Sequence, residues 1–259
     1  NSAHFLAFDL GAESGRAVLG TLDGRRLSVH EVRRFPNTPL ALSGHIHWNI
    51  YALFDEMKTA MREGAAAMGA RPESVGVDTW GVDFGLLARD GNLLGLPFCY
   101  RDHRNIGAME DFFKLVPRST LYEATGIQFM PFNTLFQVYA MVRERSPLLA
   151  AAADLLFMPD LFNYLLTGKK AAEFTIATTS QILDPRTKAW IPASSRRWGC
   201  RSRSSRISSS REPCLARSRM TSPRKPGSSG SPSSPQPATT QRQQSRQSRP
   251  RAATGLTSR

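Results

Sequence analysis

Two short stretches contain residues whose types and spacing could carry chemistry. In DLGAESGR, residues 9–16, a carboxylate ends an alternating apolar run, a glycine-rich turn follows, and Ser14, Gly15 and Arg16 open the next run. Small residues let backbone N–H groups come close to a phosphate, and a hydroxyl and a guanidinium add donors beside them. Asp9 stands where a Mg²⁺ ion could be held through its waters. The same residues would also make a plain tight hairpin with a solvated arginine. The pattern is not a P-loop, since no Gly-Lys-Ser/Thr is present, and not a dinucleotide fingerprint, since a strand follows instead of a helix.

DTWGVDF, residues 78–84, sets Asp78 and Asp83 within otherwise apolar sequence, with Trp80 and Gly81 between them. Gly81 permits close approach of a ligand, the Trp80 ring offers a flat face to a sugar, and Asp83 can accept hydrogen bonds from hydroxyls. The alternative is a bulged strand end whose tryptophan is core and whose acids face water. Two further stretches say less. Arg101, Asp102 and Arg104 in YRDHR read as a solvated charge run, and His103 as a surface histidine. Gln128 and Asn133 in TGIQFMPFNTLFQ either line a polar spot in an apolar cleft or cap the helix beginning near Thr134.

The elements that position these residues follow from periodicity. HFLAFDLG, GRAVLGTL and RLSVHEVRRF alternate as three antiparallel strands, with a second turn at Asp23-Gly24. Ile50, Leu53, Phe54, Met57, Ala60 and Met61 fall on one face of a helix entered from Asn49. ESVGVDTWG follows as a buried parallel strand, VDFGLLARDGNLLGLPFCY as a hairpin turning at Asp90-Gly91, and residues 105–170 as mostly helix. This order predicts an α/β, ribonuclease H-like domain over residues 1–190, the layout of sugar kinases and actin-like ATPases.

Charge divides the chain at the same place. Residues 191–259 hold 14 Arg, one Lys and a single acid, Glu212, so the net +13 of the chain comes from there, and residues 1–190 carry 19 basic against 20 acidic side chains. The basic balance is therefore no sign of a folded nucleic-acid surface. Of three cysteines only Cys99 precedes residue 191, which suggests neither a disulfide framework nor a cysteine-rich metal site. No apolar run has the length of a membrane span. A soluble cytoplasmic protein without membrane or specific nucleic-acid partners is expected. Oligomeric state is not readable.

Taken in order, DLGAESGR, VGVDTWGVDFGLL, GLPFCYRDHR, TGIQFMPFNTLFQ, MPDLFNYLLTGK and ATTSQILD make residues 5–190 resemble the N-terminal domain of the FGGY carbohydrate kinases, in their rhamnulokinase branch. The resemblance implies ATP and Mg²⁺ as cofactors and L-rhamnulose as the sugar, phosphorylated at its primary hydroxyl. It implies that Ala12, Glu13, Ser14, Gly15 and Arg16 touch the phosphates of ATP, with Asp9 holding the metal through water, and that Gly81, with Trp80, Asp83 and Asn133, meets the sugar. The catalytic aspartate is expected from a second domain. A sugar-binding remnant without catalysis, another ketose or polyol kinase of the family, and a nucleic-acid tether are the other readings.

That aspartate has a trace in the sequence. Joining the last base of each codon to the first two of the next permits LGLP across Arg197–Arg201, PGTVLG across Ser210–Ala216 and GHDTASAVAAVPA between Pro237 and Pro250. These are landmarks of the family in their proper order, and the last carries its aspartate. Residues 191–259 are thus expected to be a disordered tail, the second domain read out of register.

Overall fold

A computed structural model of the protein describes residues 2–69, 71–191 and 207–208. The first three strands, β1 (Ala3–Leu10), β2 (Ser14–Asp23) and β3 (Arg26–Pro36), form the expected antiparallel meander. Gly24, at φ +60°, makes the turn into β3. A two-stranded hairpin of β4 (Leu40–Leu42) and β5 (His45–His47) leads into helix α1 (Ile50–Met68). The Asn49 side chain accepts the amide of Ala52 at the start of this helix, and Gly69, at φ 63°, ends it with its N–H on the carbonyl of Ala66. β6 (Ser74–Thr79) then joins β1 in parallel, giving the sheet order β3-β2-β1-β6.

Alternation decides which face of this sheet is core. Leu6, Phe8 and Leu10 of β1 and Ala17 of β2 are buried, and they share their layer with Ile50, Leu53, Met57 and Ala60 of α1. The helix comes close enough that a Cβ on Gly64 would lie 3.3 Å from Leu6. Odd-numbered residues of β1 point to the other face, Asp9 among them.

After β7 (Phe84–Leu87) the chain makes a 3-10 turn at His103–Asn105, then α2 (Ala108–Phe113), α3 (Arg118–Thr125), α4 (Thr134–Arg143) and α5 (Pro147–Ala151). The expectation of mostly helix over 105–170 misses β8 (Asp154–Phe157), which is the antiparallel partner of β7. The predicted turn at Asp90-Gly91 is present, with Leu94 N–H bonded to Leu86 O, but β7 has its long pairing with β8. All four residues of β7 are buried because it runs between two cores. Leu87 belongs to the layer of α1, whereas Phe84 and Leu86 pack with Phe112, Leu135, Phe136 and Met141.

α6 (Met158–Thr167) covers the first core with Leu161 and Phe162, and it stops at Gly168, φ 70°. The remaining elements are β9 (Ala172–Glu173), α7 (Phe174–Thr178), β10 (Leu183–Asp184), β11 (Ala189–Trp190) and β12 (Ile207–Ser208). β10 pairs with β11, and β12 pairs in parallel with β9. Apart from Ile191 and β12, the predicted tail at 191–259 lies outside the described residues. Among the described residues no helix is long and apolar enough to cross a membrane.

Candidate active site

The two chemically suggestive stretches meet at one end of the central sheet. Register sets Asp9 of β1 opposite Arg16 of β2 on one side and opposite Asp78 of β6 on the other. The Arg16 guanidinium bonds Asp9 Oδ2 through Nε at 2.9 Å and its terminal nitrogen at 2.7 Å, with both side chains about half exposed. One residue further, the amide of Trp80 donates to the carbonyl of Leu10 at 3.0 Å, so the loop after β6 starts against the turn after β1.

The turn itself is fixed by backbone. Gly11 N–H donates to Ser14 O at 2.8 Å, and the buried Asn37 braces the turn by donating its side-chain amide to Gly11 O and its backbone N–H to Glu13 O. Ala12 packs partly against the first core, and Glu13 is exposed. Gly15 has a packing use of its own, whatever its backbone meets. A Cβ there would stand 2.4 Å from the ring of Phe35 and 2.8 Å from Leu10, so packing beneath the hairpin already requires glycine.

The loop at Gly81 is held from below. Asp83, expected to serve sugar hydroxyls, is 1% exposed. Its Oδ2 accepts the indole N–H of Trp48 at 2.5 Å, that of Trp80 at 3.0 Å and the backbone N–H of Tyr100 at 3.2 Å, while Oδ1 accepts Gln137 Nε2 at 2.7 Å. Burial pushes this carboxyl up to about 6, against the pull of the four donors. The carboxylate's acceptors are turned into the protein, and Asp83 acts on the loop instead of reaching across it.

Val82, just before it, has φ 67°, a left-handed conformation that is strained for a β-branched residue. Its carbonyl takes Thr134 Oγ1 at 2.7 Å and Gln137 Nε2 at 3.2 Å, both from the first turn of α4. Asn133 precedes that helix, but its side chain makes no cap. It is buried and donates to Gln128 O at 3.0 Å and Gln181 Oε1 at 2.9 Å. Gly81 itself is roomy: a Cβ there would meet nothing nearer than Thr179 Oγ1 at 3.8 Å and Ile176 at 3.9 Å. Three separated stretches, DTWGV, FNTLFQ and ATTSQ, thus enclose one small backbone surface.

Sequence reasoning missed Trp48 and gave Gln137 no role. Trp48 is fully buried and packs on Trp80 with ring centroids 4.4 Å apart and planes tilted by 45°. A tryptophan and a glutamine beside helix starts carry no local mark of a shared acceptor.

The YRDHR stretch is solvated only in part, with Arg101 exposed as expected. Asp102 and Arg104 are each 3% exposed, whereas His103 is on the surface as expected. Asp102 accepts the amides of Ile46 at 2.7 Å and Arg104 at 3.0 Å. Burial raises its pKa, but those amides and His45 outweigh it and hold the carboxyl below its ordinary range. Arg104 lies over the ring of Phe98 at 3.9 Å and bonds Gln137 Oε1 at 3.0 Å, and burial draws it down to about 10. What looks like a charge run is a strut linking β5, the 3-10 turn and α4.

Comparison with known proteins places this arrangement. Residues 4–203 match the model of the FGGY family of carbohydrate kinases, N-terminal domain. The chain belongs to the FGGY family of carbohydrate kinases. Relatives include a rhamnulokinase of Bacteroides thetaiotaomicron, 46% identical over 189 residues, which cover 73% of this chain and 39% of that one. A rhamnulokinase of Pectobacterium carotovorum is 43% identical over 189 residues, covering 72% and 38%. The chain thus spans 39% and 38% of the lengths of these two curated relatives. A xylulose kinase from Lactobacillus acidophilus shares the FGGY fold at TM-score 0.68 and 14% identity over 76% of this chain and 40% of its own. Plasmodium falciparum glycerol kinase with ADP does so at TM-score 0.63 and 12% identity over 76% and 40%.

Proposed function

We propose that the kinase to which this FGGY domain belongs transfers the γ-phosphoryl group of ATP to the primary hydroxyl of L-rhamnulose, giving L-rhamnulose 1-phosphate, in the cytoplasm. The observation that carries the reading is the junction of two loops at one sheet end, the Asp9–Arg16 hairpin and the Gly81–Val82 surface, joined through Trp80 N–H and Leu10 O. The identity to rhamnulokinases over 189 residues supports the choice of sugar.

The roles follow from what each loop offers. The turn at Ala12, Glu13 and Ser14 presents backbone and a hydroxyl to phosphate, and Arg16 adds a planar fork of charged donors suited to phosphate oxygens. Gly81 lets a ketose lie against bare backbone, with the Trp80 ring as a neighbouring flat face. Asp83 and Asn133 position that surface through Val82 and Gln181 instead of touching the sugar. The carboxylates of Asp9 and Asp78, side by side on β1 and β6, are the hard oxygen donors that suit Mg²⁺ and its waters. Mg²⁺ bound with ATP would neutralise charge on the transferred phosphoryl group.

Removal of the hydroxyl proton needs a carboxylate in reach of the sugar. Asp83 is buried beneath the loop, so we assign that step to an aspartate of the second domain. We propose further that residues 191–259 are that domain read out of register, so the 259-residue chain does not turn over substrate. ADP release, measured with L-rhamnulose, L-fuculose, D-xylulose and glycerol, tests both points on this chain and on a version with the frame restored. The restored enzyme should prefer L-rhamnulose, and preference for another substrate would overturn the sugar. Comparable turnover by the 259-residue chain would overturn the reading of the tail.

A further inference from the structure

The YRDHR strut also brings together three side chains that the phosphate and sugar loops do not use. His45 begins β5, and Asp102 and His103 lie at the start of the 3-10 turn. Backbone bonds from Trp48 N–H to Pro97 O at 2.9 Å and from Cys99 N–H to Ile46 O at 2.8 Å fix these two segments against each other. The Asp102 carboxylate is fully buried, and the amides of Ile46 and Arg104 set its orientation.

Around it stand two imidazoles. His45 Nδ1 is 3.1 Å from Asp102 Oδ1, and His103 Nδ1 is 3.8 Å from Oδ2. The rings are stacked, 4° from parallel with centroids 5.1 Å apart. One ligand atom from each of the three residues lies within 4.8 Å of the others. Two imidazoles and a carboxylate are a donor set of late first-row transition dications, whereas Mg²⁺ and Ca²⁺ take oxygen throughout. Tetrahedral zinc, with bonds of roughly 2.0–2.1 Å, has ligand-to-ligand edges of about 3.3 Å. The His45–Asp102 separation, a hydrogen bond in the metal-free chain, is close to that edge, and the His103 ring, 63% exposed, has solvent room to turn inward from its stack on His45. The two amides on Asp102 play the orienting part that outer partners play for metal carboxylates.

We propose that His45, Asp102 and His103 form a binding site for a transition-metal dication of the zinc class, with the outward coordination position left to water. The site uses none of the residues assigned to phosphate, to Mg²⁺ or to the sugar. Arg104 Nε, 4.0 Å from Asp102 Oδ1, opposes a dication, so the affinity is micromolar, weaker than that of a four-ligand structural site. A bound ion clamps β5 to the 3-10 turn and so stiffens the segment that delivers Trp48 to Asp83. Because it binds only the folded chain, it raises the unfolding midpoint with metal concentration.

The test uses the untagged, metal-stripped full chain, titrated with Zn²⁺ by calorimetry and with Co²⁺ by visible absorption. One equivalent should bind, with Co²⁺ bands lacking a thiolate charge-transfer band. His103→Ala, at an exposed position, should weaken binding by about tenfold or more, and the double change His45→Gln with His103→Gln should abolish it in a chain that still unfolds cooperatively in chelator. Cys200→Ser with Cys214→Ser should leave binding intact. No stoichiometric binding by the unaltered chain would overturn the proposal. So would binding that survives the histidine changes, or that is lost with the cysteines.

Discussion

The hairpin after β1 carries its charged pair in water, and the loop after β6 is suspended from a buried carboxylate. In the first, Asp9 and Arg16 pair in water, the buried Asn37 ties the turn through Gly11 O and Glu13 O, and the tightest packing is at Gly15. In the second, a buried carboxylate gathers two indoles, an amide side chain and a backbone N–H, and α4 holds a strained Val82 by its carbonyl. The difference suits the ligands we propose for each. A polyphosphate brings its own charge and can be met by exposed, hydrated donors, whereas a neutral sugar needs a surface whose shape is set beforehand. Energy should therefore be concentrated under the Gly81 loop and scarce in the hairpin.

The most severe way to break this contrast is Asp83→Ala. It strands the donors of Trp48 and Tyr100, whereas Gln137 Nε2 keeps the carbonyls of Val82 and Phe132, and each unsatisfied donor costs about 1–3 kcal/mol. The expected loss is on the order of 4 kcal/mol, since the terms overlap. Urea unfolding measures it, and a loss under about 1 kcal/mol would show that the loop is not suspended from Asp83.

A pH series separates a buried acid that is well met from one that is not. Asp160 on α6 has one donor, Glu173 N–H at 3.1 Å, and its Oδ2 is buried without a partner. Burial pushes it up to about 7, with the Glu173 amide opposing and the Glu173 charge adding, while Asp83 with four donors reaches about 6. Both start from 3.8 in the unfolded chain, so from about pH 4 to about pH 7 the folded state holds protons that the unfolded state has released. Stability therefore falls as pH rises through that window. At about 1.4 kcal/mol per unit the Asp160 share has a ceiling of about 4 kcal/mol. Asp160→Asn keeps the acceptor for Glu173 and should flatten the fall in urea midpoint between about pH 5 and about pH 8. An unchanged slope would mean that Asp160 is hydrated in the folded chain.

Two glycine substitutions sharpen the comparison at smaller scale. Gly15→Ala drives a methyl into Phe35 and should cost about 1–3 kcal/mol. Gly81→Ala meets only ordinary contacts, so its stability should change by less than about 0.5 kcal/mol, with the loss appearing in sugar affinity of the frame-restored enzyme. Thermal unfolding of the pair, beside sugar titration, distinguishes the structural glycine from the ligand-facing one. Equal destabilisation would remove that distinction.

Much of the frame was legible because it is local. Alternation in β1–β3, the spacing of Ile50, Leu53, Met57 and Ala60, and Asn49 as a cap all act within a few residues, and the structure keeps them. β8 was not legible, because DLLF is too short to show a period and lies between helices, and it is a strand only through its distant partner β7. Asp102 and Arg104 misled for a related reason. Charged neighbours in sequence read as solvated, and what buries them comes from Ile46, Phe98 and Gln137. At the site, the residue types were readable and their depth was not. Nothing near Asp83 in sequence announces that Trp48 and Gln137 will take its oxygens.

The smallest effect on folding should come from Arg16→Ala, and for that reason it isolates function in the hairpin. Arg16 and Asp9 are 46% and 50% exposed, and ion pairs of that exposure contribute about 0–1 kcal/mol, so the urea midpoint should barely move. Binding is another matter. A hydrogen bond to a charged group is worth roughly 1.5–3 kcal/mol, which sets a rise of about tenfold or more in KM for ATP in the frame-restored enzyme. The KM for L-rhamnulose should stay where it is, because Gly81 and its supports do not involve Arg16. Arg16→Lys retains the charge but not the planar fork, and should recover only part of the ATP affinity. If ATP and sugar affinities fall together, Arg16 is holding the shared end of the sheet and not a phosphate. The contrast between a hydrated, ligand-completed hairpin and a preformed sugar surface would then fail at its polar end.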